Sequence, residues 1–557
     1  MTSPEIKNIE CRFVIHLTSK DKNNRDDLHL IKEQITYVDG SKVPNLRFVK
    51  NYKRPFWITQ EKYRNHESKK EWEDIDKLKK YECTQLELRD RVSKTLGQSY
   101  TTKSLREVCS SPYVYGADIL STACIKKLYR DKYPEAKSRY SIASLDIESN
   151  VDTGEIILIT IVFDKKVFTS IYKPFIRNVS NLNKVLNEKV DEYIGEYFKD
   201  GGYTLETAVT DNQILVIKNV LDKLHEWQPD FVSIWNINYD IPEIIKVLES
   251  FNVSPEDIFS DPRVPKEYRV FWYKQGKNQK VTASGKITPM SPASQWHTLY
   301  TSSSFYFIDA MCAYKQNRIG RPEEPSYSLD FILNKELGLR KLKFKEADEY
   351  NGLMWHDFMQ NNYPVEYIVY NIFDSLSMIE LEKKTKDLSL TLPLFSDISD
   401  FSNYASQPRR AADKLHYYCL ENDKVIGTTG RNMREDLDDE TMPLSNLIVT
   451  LPAYLVADNG LQCIVENPNI HTNIRIHQAD LDIEGAYPST QVASNVSKET
   501  TYTELVDIAG IDQNVYRLQN IGLSSGHVNA LEYCQTMFNF PKLDKLLLMY
   551  NSSKSTI

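Results

Sequence analysis

The chain lacks three things that would each have set its class. It has no C-x-x-C pair, no apolar run near the roughly 18 residues a membrane helix requires, and no apolar leader after Met1-Thr2-Ser3-Pro4-Glu5. Its eight cysteines are scattered singly, which excludes a zinc ribbon or a disulfide framework and predicts reduced thiols in a cytoplasmic setting. Internal repeats and low-complexity tracts are also missing. Positive charge is in deficit, for the net charge is −8. That balance excludes a protein that coats nucleic acid by bulk attraction, but it permits local basic channels and suits acids gathered around cations.

What remains is an ordinary globular composition, 41% hydrophobic and 26% charged over 557 residues, enough for three or four domains. Near the amino terminus, Cys11-Arg12-Phe13-Val14-Ile15-His16-Leu17 reads as a strand. Lys53-Arg54-Pro55-Phe56-Trp57 mixes bases with aromatics, a pattern that can hold nucleic acid by phosphate contact and stacking. Glu67-Ser68-Lys69-Lys70-Glu71-Trp72-Glu73-Asp74 is mixed in sign and is expected to form a solvated helix face.

Chemistry first appears in Ser141-Ile142-Ala143-Ser144-Leu145-Asp146-Ile147-Glu148. Its strand-compatible residues carry no helical period, and side chains two apart on a strand share a face, so Asp146 and Glu148 point the same way. Two adjacent carboxylates repel unless a cation stands between them, and hard oxygen ligands favour Mg2+ or Mn2+. Alone, such a pair more often describes a strand end facing water. Apolar runs at 156–163 and 167–172 follow, predicting an antiparallel meander with the acid-bearing strand at its centre. After a helical stretch at 212–226 comes Phe231-Val232-Ser233-Ile234-Trp235, a strand leading into Asn236-Ile237-Asn238-Tyr239-Asp240. Asp240 thus sits past a strand end, where α/β domains place ligand-binding groups, or equally caps a helix beginning near Pro242. Tyr370 and Asp374, four apart on a predicted helix at 365–383, share one face. A second strand, Ile474-Arg475-Ile476-His477-Gln478-Ala479-Asp480-Leu481-Asp482, again ends in carboxylates and runs into Ile483-Glu484-Gly485-Ala486-Tyr487-Pro488-Ser489.

Taken in order, D-x-E on a strand, Asp after a strand and Y-x-x-x-D on a helix resemble the three exonuclease motifs of family B DNA polymerases. Asp482-Ile483-Glu484-Gly485-Ala486-Tyr487-Pro488-Ser489 resembles that family's polymerase motif A, D-x-x-S-L-Y-P-S. Ser326-Tyr327-Ser328-Leu329-Asp330 through Leu337-Gly338-Leu339 is similar to the family's segment before the third exonuclease motif, and Asn495-Val496-Ser497-Lys498-Glu499-Thr500 to the sequence just after motif A in the T-even phage type. The resemblance spans about residues 138–505. It implies an α/β (α+β) multidomain protein: an amino-terminal β-rich domain over 1–137 completed by about 386–470, an RNase H-like 3′→5′ exonuclease domain with a mixed sheet over 138–385, and a partial palm over 471–557.

The resemblance further implies that Asp146, Glu148, Asp240 and Asp374 ligate two Mg2+ or Mn2+ ions, with Tyr370 orienting the attacking water. Asn236 and Tyr239 would line the cleft near the unpaired 3′ end. The family usually has five positions between the Asn and Asp of this motif, whereas Asn236 to Asp240 spans four. In motif A, Asp482 would bind the metals of an incoming deoxynucleoside triphosphate, again two. Gly485 and Ala486 would cradle phosphate, and Tyr487 would exclude a 2′-hydroxyl. The family's later K-x-x-x-N-x-x-Y-G and D-T-D patterns do not occur between Ser489 and Ile557. The expectation is therefore one half of a split replicative polymerase in the cytoplasm of an infected host cell. Its implied partners are primer–template DNA, a single-stranded 3′ end, deoxynucleoside triphosphates, a second chain carrying the missing motifs, and a sliding clamp, with no membrane. A stand-alone exonuclease with a vestigial palm and a non-catalytic DNA-binding module are the alternatives.

Overall fold

The computed structural model describes residues 5–429, apart from 22–24, 98–103, 282–284, 397 and 405, together with 522–523 and 526–527. Contacts divide the chain into two units, Met1–Asp439 and Glu440–Ile557. In the second unit the described residues form one short antiparallel pair, Gly522–Leu523 with Gly526–His527. Asp482, Gly485, Ala486 and Tyr487, and with them the expected palm and motif A, lie outside the described residues.

The first unit is mixed α/β. Strands β1 (Ile6–Thr18), β2 (Asp27–Tyr37) and β3 (Lys42–Lys50) form an antiparallel meander whose register pairs Val14 with Ile31 and Leu30 with Phe48. Side chains alternate across these strands, and both faces are covered. Val14 and Ile31 pack on Ile125 of helix α1 (Ser121–Lys132), while Phe13, Ile15 and Leu30 join a core that includes Phe231 and Ile308. Beside this meander, β4 (Arg54–Thr59) lies between β6 (Leu78–Cys83) and β7 (Val114–Tyr115), and β5 (Trp72–Asp74) pairs with a later strand.

Two expectations for this region fail. Arg54, Phe56 and Trp57 are buried, and Arg54 donates to the carbonyls of Gly116 at 2.6 Å and Ala117 at 3.0 Å. A guanidinium spent on backbone carbonyls is not a nucleic-acid surface. The stretch Glu67–Asp74 forms no helix either. Its end is β5, where Glu73 is buried and held by Lys70 at 2.6 Å and Lys77 at 3.3 Å, so the mixed charges pair locally around a strand.

The centre of the unit is a six-stranded mixed sheet in the order β11 (Thr204–Thr210), β10 (Lys166–Tyr172), β9 (Ile156–Phe163), β8 (Ile142–Ser149), β12 (Phe231–Ile234) and β17 (Tyr306–Asp309). The three strands β8, β9 and β10 are the antiparallel meander read from the sequence, with β9 rather than the acid-bearing β8 in its middle. Within the whole sheet, β8 is interior because β12 adds to it in parallel. Short strands β13 (Phe271–Lys274), β14 (Gln279–Val281), β15 (Ile287–Pro289) and β16 (Thr298–Thr301) pair as two hairpins between β12 and β17.

Helices cover both faces of the sheet, which explains why β9 is apolar on both faces apart from Thr160. Leu145 and Ile147 face α3 (Gln213–Trp227) and α4 (Ile237–Ser250) in one core. Leu158, Val162 and Ile171 face α2 (Leu182–Lys199) and α7 (Pro364–Thr385) in another, which α6 (Gly352–Asn362) flanks, while α5 (Leu329–Leu337) packs in the core with Phe231 and Ile308. After α7, helix α8 (Gln407–Glu421) leads into β18 (Lys424–Ile426), which pairs with β5, and Val425 packs on Trp57 and Tyr115. No helix among the described residues is long and apolar enough to cross a membrane.

Candidate active site

Strands β8 and β12 run parallel, so their carboxyl ends open on the same edge of the sheet. Ile147, between the two acids of β8, is anchored in the core beneath α3 and α4. Strand alternation therefore turns Asp146 and Glu148 to the opposite face, toward α7. A bulge between Glu148 and Ser149 ends the regular pairing with β9 directly after the second acid.

From α7, Tyr367, Tyr370, Asn371 and Asp374 fall at i, i+3, i+4 and i+7, a single stripe along the helix. Each member meets the acids of β8 or the lysine opposite. Asn371 donates its amide to Asp146 Oδ2 at 2.6 Å, and the Tyr367 hydroxyl donates to Glu148 Oε2 at 2.6 Å. Asp146, Glu148 and Asp374 each present a carboxylate oxygen within 4.8 Å of the others, a grouping that can hold a metal ion. Asp240 lies outside that set but close enough for its charge to act on Asp146.

Helix α4 begins at Ile237, five residues before Pro242, so Asp240 sits within its first turn, and the cap position belongs to Asn236. The Asn236 carbonyl accepts the amides of Tyr239 and Asp240, and its side chain makes no cap bond and is exposed. Tyr239 is 44% exposed beside the buried Asp240, so Asn236 and Tyr239 edge the site from solvent.

The electrostatics are strained in one direction. Burial, then the charges of Asp240, Glu148 and Asp374, push the Asp146 carboxyl well above the usual range. Burial pushes Glu148 up to about 7, with Asp374 adding to it and the Tyr367 hydrogen bond opposing. Asp240 is raised well above its ordinary value by burial and by Glu148, and Asp374 is raised by burial against the pull of Lys341. Asp240 Oδ2 and Asp374 Oδ1 are buried and accept no hydrogen bond among the described residues. Four carboxylates converge, two of them with an unsatisfied oxygen, which is the donor set a hard divalent cation requires. Asp309, at the end of β17, shows the contrast. Burial raises it to about 6, yet its oxygens accept the backbone amides of Cys312 at 2.9 Å and His297 at 3.3 Å, so it is a satisfied helix cap.

Among the described residues, one cation is hydrogen-bonded to the cluster. Lys341 donates to Asp374 Oδ2 at 2.5 Å and to the Tyr370 hydroxyl at 2.9 Å. Burial works against its charge, but Asp374 and Asp146 outweigh that and raise its pKa. Its backbone amide donates to Asp330 Oδ1 at 2.9 Å, which ties the loop after α5 to that helix. Sequence reasoning missed Lys341, for nothing local marks it. Tyr367 and Asn371 were also missed, though polar groups extending the Tyr370–Asp374 stripe to i−3 and i+1 of Tyr370 were a usable signal.

No protein-family model and no curated protein matches this chain.

Proposed function

We propose that this chain is a metal-dependent 3′→5′ exonuclease that trims the single-stranded 3′ end of DNA. The observation that carries the reading is the convergence of Asp146, Glu148, Asp240 and Asp374 from three separate elements around one lysine. A protein has no structural reason to bury four acids against one ammonium, and such perturbed groups cluster at functional sites.

Asp146, Glu148, Asp240 and Asp374 would hold the ions, and their all-oxygen chemistry fits two Mg2+ or Mn2+. When bound, such ions act as Lewis acids on a phosphodiester and neutralise charge developing on its oxygens. The chain's own residues supply the rest. Tyr370, whose hydroxyl oxygen accepts from Lys341, orients the attacking water with the aromatic oxygen it presents to the acid cluster. Lys341 favours the ionised form of Asp374 against the effect of burial and fixes its rotamer. Asn371 holds Asp146 through its Oδ2. At the open side, Asn236 and the exposed ring of Tyr239 contact the last nucleotides, the ring by stacking.

In this reading the chain forms the amino-terminal part of a family B replicative polymerase with an RNase H-like exonuclease domain. The function proposed for these 557 residues is confined to the exonuclease. Synthesis at Asp482 would draw on motifs that they do not contain.

The test is degradation of 5′-labelled single-stranded DNA by the purified chain with Mg2+. A ladder shortening from the 3′ end is expected, abolished by chelation and by Asp146→Ala combined with Glu148→Ala. Equal degradation by the double variant would show that the nuclease, if any, lies elsewhere.

A further inference from the structure

The hydroxyl of Tyr367 has three neighbours and one proton. It donates that proton to Glu148 Oε2 at 2.6 Å. Gln360 Nε2 donates to the same hydroxyl at 3.2 Å, and His356 Nδ1 lies 2.7 Å from it. With the tyrosine proton committed to a carboxylate, the imidazole Nδ1 must carry its own proton, so Tyr367 accepts from both supports and can give only to Glu148. The ring is fully buried and stacks on Tyr370 with centroids 5.8 Å apart, so it cannot swing away.

Gln360 does more than hold the tyrosine. Its Nε2 also donates to the Ser149 carbonyl at 2.9 Å, and its Oε1 accepts the Val151 amide at 3.2 Å. It therefore clasps the backbone on the far side of the bulge that follows Glu148. The side chain of the second acid and the main chain just after it are thus fixed from the same two helices, α6 and α7. The hydrogen bond falls on Oε2 and so fixes the carboxylate against α7.

We propose that Tyr367, braced by His356 and Gln360, is the positioning residue that sets Glu148 in its metal-ligating orientation. This rests on the exonuclease reading only in taking the four-acid cluster as a divalent-cation site. Outer groups that orient a ligand in this way typically change metal affinity about 10- to 100-fold when removed. Neither Tyr367 nor His356 nor Gln360 touches the substrate in this account. They act through Glu148.

The test is titration of the full chain with Mn2+ by calorimetry, with thermal unfolding measured in chelator. Tyr367→Phe removes one oxygen and keeps the buried ring. The expected result is an Mn2+ dissociation constant raised about 10-fold, with an unfolding midpoint in chelator close to that of the parent. His356→Ala, at a half-buried position, should weaken Mn2+ in the same direction but less, and serves if the phenylalanine variant does not fold. Parental Mn2+ affinity in both variants would overturn the proposal while leaving the exonuclease reading intact. A parent chain that binds no Mn2+ would overturn both. A parent that binds Mn2+ but leaves DNA uncut would sink the nuclease alone, with the Tyr367 effect still read from the titration.

Discussion

The ammonium of Lys341 stands 2.5 Å from Asp374 Oδ2 and is the one cation hydrogen-bonded to the acid cluster among the described residues. It comes from the loop after α5 and Asp374 from the middle of a long helix, so the pair ties that loop to α7. It also shares its proton donors between Asp374 and Tyr370, which couples the charge of the site to the orientation of the tyrosine.

That pairing makes Lys341→Met informative. Breaking a largely buried pair leaves its partner uncompensated, and Asp374 can limit the damage by taking up a proton. A loss on the order of 2–3 kcal/mol is expected without metal. Saturating Mn2+ should restore most of it, since the divalent ion supplies the missing positive charge. Thermal unfolding with and without Mn2+ measures both numbers, and a deficit unchanged by Mn2+ would argue that Lys341 and the ions do not share one field.

Asp240 should behave in the opposite sense. It is 2% exposed, one of its oxygens has no donor, and burial and Glu148 together penalise its ionised form. Asp240→Asn keeps the shape and removes the charge. Without metal at pH 8 the variant is expected to gain about 1 kcal/mol, the trade of stability for function seen at strained sites. It should lose the stabilisation by Mn2+ that the parent shows. An Asn variant less stable than the parent in chelator would contradict the repulsive cluster.

Acid sensitivity has a separate source. His29 on β2 is fully buried, with its Nε2 2.8 Å from Ser121 Oγ. Burial first, and the nearby His16 second, hold its pKa down at about 4 against an ordinary 6.5. The unfolded chain therefore takes the proton more readily than the folded one. Stability present above pH 6.5 is lost as the pH falls toward 4, by at most about 3 kcal/mol for this group. His225, buried beside Phe305 and also held at about 4, adds to the same slope. His29→Asn should flatten the fall of the unfolding midpoint between pH 7 and 4.5, and an unchanged slope would locate acid sensitivity elsewhere.

How far the sequence could be read depended on whether a contact is local. Strand alternation alone puts Asp146 and Glu148 on one face, and helical spacing alone puts Tyr370 with Asp374. The structure places both pairs accordingly. Asn236, Tyr239 and Asp240 follow a strand end as expected, but the helix boundary slipped because Pro242 was taken for a first-turn residue and lies inside α4. Lys341 was invisible because its place depends on how the loop after α5 packs on α7. The basic and aromatic run at 53–57 misled because composition does not say which face of a strand is buried. Arg54 found backbone carbonyls instead of phosphates. The mixed signs of 67–74 point to a solvated helix face, yet Glu73 is buried on a strand with Lys70 and Lys77 paired around it, because charge pattern alone does not say which acids find local partners.

The central claim is that four acids of one chain hold divalent ions. The most direct measurement is an anomalous difference map from crystals of the full chain soaked in Mn2+. Two peaks are predicted among the carboxylates of Asp146, Glu148, Asp240 and Asp374, both missing in Asp146→Ala combined with Glu148→Ala. Strong manganese peaks elsewhere on the chain, with none among these four, would contradict it.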